Sequence, residues 1–224
     1  MSLKPLAALG LLLLVGCGPN GPTPTPTPGE FGTFSGTVKT EWIAGSREME
    51  LLDDFTYIGP DMVEWKCPKG SKIDGASIPQ FLWTAVGSPY TGLYRNASVP
   101  HDIACDKKER SSDDVHLMFY NACRCGGCSE TEAKVLYAGV LLGGPKWAVG
   151  GAPIPVVYKT TNVFEDDFED AKADIEARNP SLDEIKTRAK HGTFPKRPPE
   201  LRTSRPVDLR GDRLIRRIPT TRIR

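Results

Sequence analysis

Within V-P-H-D-I-A-C-D, residues 99–106, a histidine, two carboxylates and a thiol fall inside six positions of an expected helix. Imidazole titrates near neutral pH, and a neighbouring carboxylate can accept hydrogen bonds or meet a cation, so His101 and Asp102 have side-chain types that acid–base or metal chemistry uses. Asp74, in D-G-A-S-I-P at 74–79, supplies another oxygen donor, and His116 lies in the next expected helix, D-V-H-L-M-F-Y-N-A-C. Two facing histidines with Asp102 would instead suit a transition metal. Each residue also has a packing role open to it. Asp102 in a helix first turn is favoured by the macrodipole, Asp74 can cap the turn at Gly75, and the two histidines can hydrogen-bond each other or a carbonyl across a helix pair.

The thiols form a second group. Six cysteines are present, and Cys17 is set apart by its place after an apolar leader. Cys67, Cys105, Cys123, Cys125 and Cys128 remain, an odd number that favours two disulfides and one free thiol if the chain is exported. Cys105 and Cys123, on neighbouring expected helices, are one plausible bridge. The rival is zinc, held by Cys123, Cys125 and Cys128 with Cys105 or a histidine, although C-x-C-x-x-C lacks the second well-spaced pair of a strong zinc motif.

Short strands are expected from residue 31 to 66, where F-G-T-F-S-G-T-V-K-T, M-E-L-L-D-D-F-T-Y-I and M-V-E-W-K are punctuated by Gly45, Gly59-Pro60 and Pro68-Lys69-Gly70. They predict a small antiparallel sheet. A bundle of about four helices follows. One starts at Pro79 and stops at Gly87-Ser88-Pro89; a second runs from Leu93 or Tyr94 to Cys105, with Pro100 near its first turn or kinking it. Ser111 with Asp114, and Ser129 with Glu132, have the capping-box spacing. They start a third helix carrying Val115, Met118, Phe119 and Ala122, and a fourth carrying Ala133, Leu136, Tyr137, Val140 and Leu141. The fold class is α+β over residues 30–150.

The flanks are of different composition. Lys4 and the apolar run Leu6–Val15 suit a signal peptide over residues 1–16 and are too short to span a bilayer as a mature helix. That run ends in L-V-G-C, residues 14–17, which resembles the bacterial lipobox. The resemblance implies cleavage before Cys17 and acylation of Cys17, each buried methylene contributing ~0.8 kcal/mol to a membrane anchor. Residues 17–29, with alternating Pro and Thr, read as an extended spacer. The expected location is the exported side of a bacterial membrane, at the outer membrane or cell surface.

Residues 151–190 read as a partly helical extension. From 191 to 224 ten Lys and Arg stand against three Asp and Glu, among five prolines, which predicts a disordered basic tail able to meet an anionic envelope polymer or lipid. The net charge of +1 gives no specific nucleic-acid signal.

D-G-A-S-I-P, then H-D at 101–102, then the His116 helix and G-P-K-W at 144–147, together resemble an uncharacterised domain-of-unknown-function family of phage and bacterial proteins, over residues 48–147. That family implies no chemistry. More distantly, Asp74-Gly75 and His101-Asp102 resemble the loop and helix pair of small secreted bacterial and fungal calcium-dependent phospholipases. This second likeness implies His101 as general base, and Asp74 and Asp102 as calcium ligands. Ala76 replaces the loop cysteine of those enzymes, and His116 stands where their orienting carboxylate falls. A noncatalytic envelope or binding role, and a calcium-dependent hydrolase, are the two readings that remain.

Overall fold

The computed structural model describes residues 29–46, 48–74, 92–152 and 161–202. The signal peptide, Cys17 and nearly all of the spacer, the rest of D-G-A-S-I-P with the helix expected from Pro79, and residues 203–224 lie outside the described residues.

The strands form two small antiparallel sheets rather than one. β1 (Thr33–Phe34), β4 (Phe55–Ile58) and β5 (Glu64–Cys67) make the first, in the order β1-β4-β5. β2 (Thr40–Trp42), β3 (Met49–Leu51) and β6 (Lys72–Ile73) make the second, ordered β2-β3-β6. The split follows from lengths of two to four residues, too short for one continuous ladder. In the first sheet Phe55 pairs with Cys67 and Tyr57 with Trp65. Tyr57 is fully buried and donates its hydroxyl to the Phe31 carbonyl at 2.7 Å, which satisfies its one polar atom.

Five helices follow among the described residues. α1 (Arg95–Lys107) contains Pro100 in its second turn, where the missing N–H leaves the Asn96 carbonyl without its usual helical donor. α2 (Ser112–Cys125) begins as its sequence predicts, with the Ser111 hydroxyl accepting from the Asp114 N–H. α3 (Glu130–Gly143) begins on the Ser129/Glu132 capping box. α4 (Thr161–Arg178) and α5 (Leu182–His191) fall in the expected helical extension, α5 on a capping box of Ser181 and Glu184.

α1 packs on α2, α2 on α3, and α3 on both α4 and α5. The main core is the apolar stripe of α2 and α3, including Val115, Phe119, Leu136 and Val140, with Phe168 and Ile175 of α4 and Ile185 of α5. A smaller core joins Leu51, Phe55, Cys67 and Ile73 of the sheets to Val99 and Ile103 of α1. α1 is thus clamped between the sheets and α2, and this clamp sets the surroundings of His101.

The start of the basic tail departs from the expected disorder. Residues 192–202 lie along α4: Phe194 enters the core, and Lys196, Arg197 and Arg202 reach carboxylates of α4. Asp166, Asp170 and Asp174 recur every fourth residue, so they line one side of α4 beside the apolar row of Phe168, Ala171 and Ile175. That acidic row supplies counter-charges which net composition alone does not reveal.

Candidate functional site

His101 and His116 meet at the α1/α2 seam, with Nε2 of His101 3.1 Å from Nδ1 of His116. The other His116 nitrogen, Nε2, lies 3.3 Å from the Pro145 carbonyl. A carbonyl only accepts, so His116 carries its proton on Nε2 and offers Nδ1 as an acceptor; His101 must then donate from Nε2. The tautomers are fixed by the geometry, and the relay ends on backbone. His101 is 0% exposed and His116 1%, with the His101 ring 4.6 Å from that of Phe119 and the His116 ring edge-on to Trp147. Burial drives the basicity of both down: His101 falls well below the ordinary histidine value, helped by His116. His116 falls to about 4, burial outweighing the Pro145 carbonyl, which favours the charged ring. Both imidazoles are therefore neutral at pH 7.

G-G-P-K-W completes this arrangement. A Cβ on Gly144 would stand 2.5 Å from the Val140 carbonyl oxygen and 3.3 Å from Cε1 of His116, so only glycine lets the turn close over the histidine. Trp147 locks the same turn to the start of α2. Its indole N–H donates to the Arg110 carbonyl at 2.6 Å, its backbone N–H donates to Ser112 Oγ, and that hydroxyl donates back to its carbonyl.

Asp102 and Asp74 come together on the far side of α1. Both line a cavity of about 150 Å³ with Glu48, Lys72, Ile73 and Asp106. Asp102 is buried, and each of the two carboxylates has an interaction of its own. His101 is not among the lining residues. Successive positions on a helix point about 100° apart, so His101 turns into the α2 seam while Asp102 turns toward β6. No group of three or more His, Cys, Asp and Glu side chains among the described residues is arranged to hold a metal ion.

The five cysteines are corrected most plainly: Cys67, Cys105, Cys123, Cys125 and Cys128 are all free thiols, and no expected disulfide is formed. Cys67 is buried in the small core, and its thiol is pushed up to about 12 by that burial. Cys105, one turn after His101, lies 3.8–3.9 Å from the ring nitrogens of that histidine instead of bridging to Cys123. Cys125 points to the Gly32 carbonyl at 3.4 Å. The Cys128 N–H donates to the Cys123 carbonyl at 3.1 Å, so the turn after α2 folds Cys128 back toward Cys123 while Cys125 turns to Gly32, and C-x-C-x-x-C diverges at its middle cysteine. The i to i+5 pairing of Cys123 and Cys128 was concealed by that middle thiol; Gly126-Gly127, which ends the helix between them, was its available signal. Trp65 and Trp147 serve as packing and rim residues, the Arg110 guanidinium lying 5.3 Å from the Trp65 ring.

The segment from β3 into α3, residues 49–140, matches the model of a family described as a protein of unknown function, DUF1353. The DUF1353 match covers most of the span on which D-G-A-S-I-P and H-D carry the family likeness. An uncharacterised protein of Sinorhizobium fredii, y4jT, is 40% identical over 121 residues, covering 53% of this chain and 36% of that protein. A second from the same organism, y4iH, is 37% identical over 115 residues, covering 51% of this chain and 48% of its own length. The chain thus spans about a third to a half of the curated relatives it matches. No solved structure matches it.

Proposed function

We propose that the chain is a bacterial lipoprotein, held on the exported side of a membrane by acyl chains on Cys17, whose DUF1353 domain has a noncatalytic envelope or binding role. The observation that carries the noncatalytic reading is the sealing of His101, fully buried with Nε2 directed to His116. A general base has to reach the proton it takes, directly or through one water. The anchor rests on L-V-G-C and the apolar run before it, with the Pro-Thr spacer setting the domain off the lipid. Labelled palmitate should enter the wild type and not Cys17→Ser; equal labelling of both would remove the anchor from this reading.

A calcium-dependent esterase or phospholipase-like hydrolase, with His101 as base, is the second reading. One observation favours it: Asp74 and Asp102 line the same small cavity. Ester hydrolysis by the full chain, titrated with calcium, separates the two. The noncatalytic role predicts no calcium-dependent turnover and no difference between wild type, Asp74→Asn and His101→Gln; turnover that both variants abolish would establish the hydrolase. For the tail, anionic vesicles are the probe. A basic arm predicts binding that weakens with salt and is lost when residues 203–224 are removed, because Lys196, Arg197 and Arg202 are already occupied by α4.

A further inference from the structure

We propose that Cys123 and Cys128 are a redox-active thiol pair, which takes up oxidising equivalents from a small disulfide and closes an internal disulfide across Gly126-Gly127. The Cys128 N–H donates to the Cys123 carbonyl at 3.1 Å, a 6→1 bond of the kind that ends helices in a Schellman turn. Gly127 makes that turn possible with a φ of 98°, a conformation L side chains rarely adopt. The same turn places the Gly127 N–H on the Arg124 carbonyl at 3.1 Å, so both bonds of the turn that folds Cys128 back on Cys123 are made. Two cysteines held by such a turn are within the backbone separation that a disulfide spans, and no other pair of the described cysteines is brought together in this way.

The two sulfurs are not equivalent. Cys123 is fully buried, and burial, with the neighbouring sulfur, drives its thiol well above the ordinary value. Cys128 lies lower than an ordinary thiol: the neighbouring Cys123 thiol favours its thiolate and the Arg124 guanidinium adds attraction, against the opposing effects of burial and of the Glu132 carboxylate. Arg124 is fixed by donating to the Cys128 carbonyl at 2.8 Å. Cys128 is also the cysteine that lines a cavity of about 710 Å³, with Tyr94, Asn96 and Leu136 on its other walls. The attacking thiol and the resolving thiol are thereby distinguished.

In the first step the Cys128 thiolate attacks one sulfur of the small disulfide, forming the mixed disulfide and releasing one thiolate. In the second, Cys123 gives its proton to solvent or to the released thiolate and attacks the Cys128 sulfur, expelling the second thiolate. Two protein thiols are oxidised and one disulfide is reduced to two thiols, with no other reactant. The inference stands apart from the noncatalytic reading of His101 and holds in any compartment that supplies a disulfide.

Oxidised glutathione is the probe, applied to the native full chain carrying Cys125→Ser, with the remaining thiols then alkylated by N-ethylmaleimide. Trypsin cuts after Arg124, between the two cysteines, so an internal disulfide joins two tryptic peptides that otherwise separate. The expected result is that joined pair, with Cys67 and Cys105 alkylated only after denaturation. Cys123→Ser should stop at glutathione on Cys128, and Cys128→Ser should leave Cys123 unmodified. Separate peptides in the Cys125→Ser chain would overturn the pair. So would oxidation of Cys123 that persists in Cys128→Ser, or a bridge from Cys128 to Cys67 or Cys105.

Discussion

The α1/α2 seam and the α4 clasp bury polar groups to the same depth and satisfy them in opposite ways. At the seam, His101 and His116 stay neutral and pass two hydrogen bonds in series to a backbone carbonyl. In the clasp, Asp166 and Asp170 are equally inaccessible but are met by cations: Arg197 reaches both, and Lys196 and Arg202 add to Asp170. Burial alone would raise a carboxylate; for Asp170 the Arg197 N–H and guanidinium, with Arg202 and Lys196, outweigh it and hold it below the ordinary value. An imidazole reaches its neutral form at physiological pH at little cost, whereas a carboxylate does not, so the second needs partners that the first can omit.

The largest effect belongs to the clasp. Asp170→Ala leaves Arg197 without its principal partner and removes the acceptor of the Arg197 backbone N–H. Breaking a buried pair from one side costs about 3–5 kcal/mol. Thermal unfolding should register that loss, and limited trypsin digestion should open after Lys196, a site guarded in the wild type by its contacts with α4. Unchanged cleavage there would mean that Phe194 alone holds the segment.

The seam responds next. His116→Ala should cost about 3 kcal/mol, from the cavity and from the orphaned His101 N–H, as read by denaturant unfolding at pH 7. His101→Leu with His116→Phe removes both polar partners together and should recover most of that loss. A double variant no better than the single would show that the hydrogen bond, rather than the space filled, holds α1 to α2.

Acid reaches the two regions in different pH windows. The histidine pair has folded values below the free one, so it is proton-neutral above about pH 6.5, where both states are uncharged. As pH falls from there towards 4, the unfolded chain binds protons that the folded chain refuses. Stability then declines by up to ~1.4 kcal/mol per pH unit for each histidine. Asp170 is lowered, so its contribution is fully present above the free Asp value of about 3.9 and is lost only below it. Hydrogen exchange should therefore rise first in α1 and α2, while the Arg197 amide stays protected until lower pH. Simultaneous loss would mean that the two regions open as one unit.

How far each region could be read in advance follows from the range of the interactions. Ser111, Ser129 and the stripes of α2 and α3 act within a turn or two, and their helices begin where the spacing places them. His101 and His116 are visible as partners, since a packed helix pair brings such positions together. Their sealing is not visible, because it depends on Pro145 and Trp147, some 30 residues further along. The clasp is equally non-local: E-D-D-F-E-D suits a helix amino terminus and F-P-K-R-P belongs to the basic tail, and only their docking turns two polar segments into core. The cysteines misled for a related reason. Their number and an oxidising compartment argue for bridges, but helix geometry decides which sulfurs meet, and it turns Cys105 to His101 and Cys125 to Gly32.

The smallest expected difference tests whether the two regions are equally sensitive at their edges. Ser129 and Ser181 make the same capping box, each with a glutamate three residues on, and each should lose about 1 kcal/mol on substitution by Ala. α3 is buried along most of its length, so Ser129→Ala should lower the unfolding midpoint and leave local exchange in α4 and residues 192–202 unaltered. α5 is short and mostly exposed, with Ile185 and Ala189 as its buried residues, while its Arg188 holds Asp174. Fraying α5 should therefore loosen the α4 carboxylate row, and Ser181→Ala should speed exchange at the Arg197 amide as well as in its own helix. If Ser181→Ala leaves the Arg197 amide unmoved, the clasp is held by Lys196, Arg197 and Arg202 without help from α5.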